Sequence, residues 1–171
     1  TAQSGHFTVS KIGKKAAKSP LYTRLIYRIS KKYKPTNILE LGTSLGISAS
    51  ALATGNRNSR IISIEGSKEI AEKAKANFEK LNLDSVQVIH GLFDEVLPTI
   101  LINDIKFDLI YIDGNHSYEA TKRYVEMVKP FLADQACIIL DDIHWSAGME
   151  KIWVELVNYS EIILSIDLFQ I

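Results

Sequence analysis

Asn37-Ile-Leu-Glu-Leu-Gly-Thr-Ser-Leu-Gly-Ile-Ser48 is the stretch that decides the fold. An apolar run carrying an acid breaks into a glycine turn, and the turn opens a helical pattern. Ile38, Leu39 and Leu41 read as a buried parallel strand. Gly42 and Gly46 let the backbone approach a ligand closely, and Ser48-Ala-Ser-Ala-Leu-Ala53 continues as helix. A strand, turn and helix in this order receive nucleotide-like ligands, either a dinucleotide or S-adenosylmethionine.

Outward from this turn, apolar strands alternate with amphipathic helices. That alternation predicts crossover units and a parallel α/β sheet, doubly wound with helices on both faces. The strands read as Asn37 to Leu41, Arg60 to Glu65, Val86 to His90, Phe107 to Asp113, Ala136 to Asp141, and Glu161 to Phe169. The helices between them read as Ile47 to Thr54, Lys68 to Leu81, Phe93 to Ile102, Tyr118 to Lys129, and Met149 to Asn158. Ahead of the sheet, Ser19-Pro20 reads as a helix start and Lys34-Pro35 as its end. Thr1 to Ser19 has little periodicity and reads as a loose arm or a short helix.

At 171 residues the chain fits one domain, with a basic cap segment over 1–34 and a ligand-binding core over 35–171. A hydrophobic fraction of 46% with 23% charged residues is that of a soluble globular protein. No apolar run approaches the roughly 20 residues that span a bilayer, so membrane insertion is not expected. The one cysteine, Cys137, lies in the apolar run Ala136-Cys-Ile-Ile-Leu140 and reads as core packing in a reducing, cytoplasmic compartment. The net charge of zero hides an asymmetry, because the first 34 residues hold nine Lys or Arg and no acid. Such a segment suits phosphates, an anionic surface or an acidic substrate, or is simply a solvated helix face.

The glycine turn discriminates between cofactors. A dinucleotide fingerprint needs Gly-x-Gly-x-x-Gly, whereas this chain has Gly42-Thr43-Ser44-Leu45-Gly46, with Ser44 where the pyrophosphate would touch a glycine. S-adenosylmethionine has no pyrophosphate, and its cationic groups give Glu40 a plausible electrostatic role. Glu65, nineteen residues after Gly46 and followed by Gly66, stands at the spacing of an acid that accepts ribose hydroxyls. Gly91, Leu92 and Phe93 after the third strand would flank an adenine, or would pack as a helix start.

Two further strand ends carry polar groups. Asp113-Gly-Asn-His116 places an acid, an amide and an imidazole on the edge of a parallel sheet where ligands bind, with His116 suited to general base or metal ligand. Asp141 and Asp142 end the fifth strand on the same edge and, with Asp113, would furnish oxygen ligands for Mg²⁺. Joint ligation requires the chain to turn at Asp141, since neighbours on an extended strand point apart.

Together these residues resemble the class I S-adenosylmethionine-dependent methyltransferases, and within them the small O-methyltransferases related to the catechol, caffeoyl-CoA and sugar enzymes. The first motif of that family matches Glu40 to Ser48, its ribose acid Glu65, and its strand-end Asp is Asp113. The resemblance implies methyl transfer to a hydroxyl of a small molecule, with Asp113 and the Asp141-Asp142 pair at the family's metal position. It departs from the catechol enzymes at His116, where they carry a lysine base; Asp-Gly-x-His-Ser-Tyr looks more like a broad bacterial branch whose substrates are mostly unassigned. It also implies a seven-stranded sheet with an antiparallel last strand. The chain stops at Ile171 without it, so either continuation of the chain or a partner, a second copy included, is expected to supply it. Other readings are an NAD-linked oxidoreductase, disfavoured by Ser44 and by the lack of a Tyr-x-x-x-Lys pattern, a nucleic-acid methyltransferase lacking an Asn-Pro-Pro-Tyr motif, and a non-catalytic scaffold.

Overall fold

The computed structural model describes residues 19–102 and 105–168. Helix α1 spans Pro20–Tyr33, and the core follows as β1 (Asn37–Leu41), α2 (Ile47–Gly55), β2 (Arg60–Glu65), α3 (Lys68–Lys80), β3 (Val86–His90), α4 (Phe93–Ile100), β4 (Phe107–Ile112), α5 (Tyr118–Val128), a 3₁₀ turn (Lys129–Phe131), β5 (Leu132–Leu140) and α6 (Ala147–Leu156). Of the arm expected over Thr1 to Ser19, all but Ser19 lies outside the described residues.

Helix starts follow side-chain chemistry. Ser19, Ser67, Ser117 and Ser146 each cap a helix by accepting a backbone N–H three residues on, and Pro20 occupies the first turn of α1. Lys34 ends α1 in the left-handed region at φ 54°, just before Pro35.

The five strands form one all-parallel sheet in the order β3-β2-β1-β4-β5. Its two faces are read directly from the period of two. Leu39, Leu41, Ile110 and Ile112 point into a core shared with α4, α5 and α6, whereas Ile38, Leu109 and Tyr111 point into a second core under α1, α2 and α3. Burial on both faces explains why β1, β2 and β4 are almost continuously apolar.

The order reverses between β1 and β4, and a parallel sheet opens a crevice at the carboxyl ends of the two strands where it reverses. Here the crevice is narrow at its base. Asp113 N donates to Leu41 O at 2.8 Å, and a Cβ on Gly42 would lie 2.0 Å from Asp113 O. The turn after β1 and the loop after β4 are therefore packed backbone to backbone.

The expected strand over Glu161 to Phe169 does not form over its described residues, which end at Leu168. Residues 162–168 have no regular secondary structure, and Ile163 and Leu164 are 88% and 75% exposed. Alternating apolar residues suit a strand only when a neighbour supplies hydrogen bonds and a core face, and this segment has neither. Among the described residues the sheet is thus five-stranded and parallel, without the sixth strand expected from the sequence. β5 also begins earlier than predicted, because it takes five steps from Leu132 to Cys137 where β4 takes two from Phe107 to Leu109, and Gln135 in that bulge has φ 60°.

Candidate active site

The floor of the crevice is a buried polar cluster. Glu40 is fully buried on β1; Ser48 Oγ donates to its Oε1 at 2.5 Å, and Ser63 Oγ, from the middle of β2, donates to Oε2. Thr43 Oγ1 lies 2.5 Å from Ser63 Oγ and completes the set. Burial pushes the Glu40 carboxyl up to about 7, against the two serine bonds, which favour its charged form. Glu40 therefore braces the turn from below, through the two serines. Ser63 was missed in the sequence, although a polar residue inside Ile-Ile-Ser-Ile was its signal.

Above the floor, Gly42 and Gly46 have φ 104° and 84°, and Ser44 between them takes φ 48°, the left-handed region usually left to glycine. Ser44 is held there by its backbone N–H, which donates to Glu65 Oε2 at 2.9 Å. Ser67 N donates to the other carboxylate oxygen, also at 2.9 Å. Glu65 is thus fixed by two backbone donors, one on each oxygen, and retains lone pairs for two adjacent hydroxyls. Gly66 beside it is open, since a Cβ there would meet only Leu92 Cδ2 at 3.9 Å. Leu92 is 58% exposed, whereas Phe93 turns inward against Tyr124. The sequence reading left Gly91–Phe93 open between ligand contact and packing; the structure packs Phe93 and leaves Leu92 exposed.

Across the crevice, the loop after β4 meets the loop after β5. His116 Nε2 lies 3.7 Å from Asp113 Oδ1 and 3.6 Å from Asp142 Oδ2, and one donor atom from each residue falls within 4.8 Å of the others. Asp141 is turned elsewhere: its Oδ2 accepts from Tyr111 Oη at 2.7 Å and its Oδ1 from Asp142 N at 2.8 Å. β5 ends at Leu140 and Asp142 takes φ 53°, so the chain turns where joint ligation required it to, and Asp142 rather than Asp141 joins Asp113. The Tyr111 partnership was not legible in the sequence, because it joins two residues thirty positions apart.

Residues 39–143, which hold every one of these groups, match a family described as a methyltransferase domain. The chain belongs to that family.

Similarity within and around the methyltransferase-domain family is broad. The O-methyltransferase hkm8 of Aspergillus hancockii is 33% identical over 144 residues, covering 80% of this chain and 56% of that protein. A tRNA (guanine-N(7)-)-methyltransferase of Mycoplasma mobile is 29% identical over 116 residues, covering 64% of this chain and 57% of that protein. The chain spans little more than half the length of these curated relatives. Among solved structures, an O-methyltransferase from Bacillus cereus in complex with SAH superposes with a TM-score of 0.75 at 26% identity, covering 87% of this chain and 76% of that one. For this methyltransferase-domain chain, no described helix is long and apolar enough to cross a membrane.

Proposed function

We propose that this domain transfers a methyl group from S-adenosylmethionine to a hydroxyl of a small molecule. The observation that carries the reading is the crevice itself. A clamped carboxylate at Glu65 and a glycine turn lie on one side, and the Asp113, His116 and Asp142 group on the other, at the point where the strand order reverses. The similarity to O-methyltransferases, one of them solved with SAH, supports the choice of cofactor and of an oxygen acceptor.

Each residue has a physical task in this reading. Glu65 accepts the ribose hydroxyls, and its two backbone donors keep it oriented before the ligand arrives. Gly66 and the exposed Leu92 leave room for the base. The N-terminal end of α2, following Gly46, presents the positive end of a helix dipole to the cofactor's carboxylate. Asp113 and Asp142 favour a cation between them.

The donor set also fits a divalent cation. Two carboxylate oxygens and one imidazole nitrogen lie within 4.8 Å of one another, against about 4.2 Å across an octahedral Mg²⁺ site, and His116 Nε2 stands beyond hydrogen-bond distance of both carboxylates, at 3.7 and 3.6 Å. Asp113, His116 and Asp142 would hold the ion, with Asp141 supporting Asp142 from behind. When both groups are bound, the cofactor supplies an electrophilic methyl and the cation lowers the pKa of the acceptor hydroxyl. His116, as a ligand, would fix the ion in the crevice; with no cation, its imidazole would take the hydroxyl proton as general base.

A methyl-labelled S-adenosylmethionine assay against a panel of small hydroxylated compounds, with Mg²⁺ or chelator, tests the proposal. Label in a hydroxyl compound is expected, with transfer lost in chelator and in Asp142→Asn. Transfer only to an added tRNA would overturn the acceptor class, and full activity in chelator would remove the metal.

A further inference from the structure

A polar junction connects the two sides of the crevice from behind. Asn115 lies between Asp113 and His116 and takes φ 58°. Its Nδ2 donates to Tyr124 Oη at 3.0 Å. Tyr124 Oη in turn donates to Asp94 Oδ2 at 3.2 Å, and Arg123 grips both oxygens of Asp94 through Nε at 2.6 Å and Nη2 at 3.0 Å. Beside this chain of bonds, the Phe93 ring stands edge-on to Tyr124 at 5.5 Å and 86°. A Cβ on Gly114 would lie 2.9 Å from that same ring. Phe93 and Asp94 open α4 directly after Leu92, which lies beside the base in the reading above; Gly114 and Asn115 belong to the reaction loop.

The parts differ in what they can contribute. Arg123 and Asp94 are about half exposed, so their ion pair adds little stability, but a two-pronged grip fixes where the Asp94 acceptor stands. Tyr124 is 1% exposed, and a buried phenol must satisfy its hydroxyl, which it does with one bond from each side. Asn115 is exposed, and this bond, with its own backbone preference, sets its side chain. The route from the adenine segment to the His116 loop therefore passes through one hydroxyl and one ring.

We propose that Tyr124 is a positioning residue that couples occupancy of the adenine side, through Phe93 and Asp94, to the conformation of the loop carrying Asp113 and His116. The inference rests on the adenine assignment made under the proposed function. It differs from a purely structural role for Tyr124, because a strut between α4 and α5 would affect stability without transmitting anything from one side to the other.

Adenosine fills the base and ribose positions alone and is the probe of choice. Its binding to the whole chain is followed by calorimetry, and the ring signals of ¹³C-labelled histidine, assigned with His116→Gln, are followed by NMR. In the wild type the His116 signal is expected to shift along the binding curve. In Tyr124→Phe, which keeps the ring and removes the hydroxyl, adenosine affinity is expected to stay close to that of the wild type while the His116 shift is lost. Asn115→Gly, which tolerates the left-handed backbone and removes the donor, is expected to give the same loss and carries the test alone if the phenylalanine variant does not fold. A His116 shift that persists unchanged in a folded variant overturns the coupling, as does a wild-type signal that does not move when adenosine binds. No adenosine binding by the wild type overturns the adenine assignment and the inference together.

Discussion

Glu40 has a carboxyl whose affinity for a proton is raised to about 7 because no water reaches it. Its unfolded value is the ordinary 4.5. Between the two, the folded state holds a proton that the unfolded state has released, so stability falls as pH rises from about 4.5 to 7 and levels off above. A shift of this size corresponds to about 3 kcal/mol across that window. Denaturant unfolding from pH 5 to 8 should show this downward slope in the wild type and a much weaker one in Glu40→Gln; equal slopes would remove Glu40 as the cause. The same sign governs the cofactor, whose cationic groups favour ionised Glu40, so binding should release protons near pH 7. At Gly42 the argument is steric. A Cβ 2.0 Å from Asp113 O, on a residue at φ 104°, cannot be accommodated without moving the β4 loop. Gly42→Ala should therefore weaken S-adenosylhomocysteine binding by well over tenfold, that is by more than about 1.4 kcal/mol, in calorimetry. These roles were only half legible beforehand: the glycines and acids announce a turn and a ligand, but burial of Glu40 depends on Ser48 and Ser63 arriving from two other elements.

Among the elements, β1 to β4 and the helices between them were readable because both signals agreed. Apolar runs of strand length alternated with amphipathic stretches, and serine caps marked the helix starts. The 161–168 segment misled because alternation reports which residues share a face, not whether a neighbouring strand exists. His144 Nε2 instead meets the Asp167 carboxylate at 3.1 Å, which ties this segment to the loop after β5. The α1–α2 packing was equally invisible, since it depends on close approach of two backbones. A Cβ on Gly55 would lie 2.6 Å from Tyr27 O and 2.7 Å from Ser30 Cβ, where Ser30 Oγ also donates to Leu52 O at 2.7 Å. Gly55→Ala should push α1 away from α2 and cost about 1–3 kcal/mol, as overpacking does. A melting temperature equal to that of the wild type would show that the helices separate freely.

For the whole molecule, the strand order accounts for the separation of tasks. β1 and β2 deliver the glycine turn and Glu65 to one side of the crevice, and β4 and β5 deliver Asp113, His116 and Asp142 to the other. Binding and reaction should therefore respond to different substitutions. His116→Ala is expected to lower turnover by about 10²–10⁴ if the imidazole moves the proton, with S-adenosylhomocysteine affinity nearly unchanged. A parallel loss of affinity would merge the two sides into one function. The central claim is that Glu65 and the turn at Gly42 form the cofactor site, and calorimetric titration with S-adenosylhomocysteine tests it most directly. The account predicts one site per chain in the wild type and, in Glu65→Gln, affinity reduced roughly tenfold to a hundredfold, the cost of losing charge-assisted hydrogen bonds. Binding of equal strength by the wild type and Glu65→Gln, or no binding by a folded wild-type chain, would contradict it.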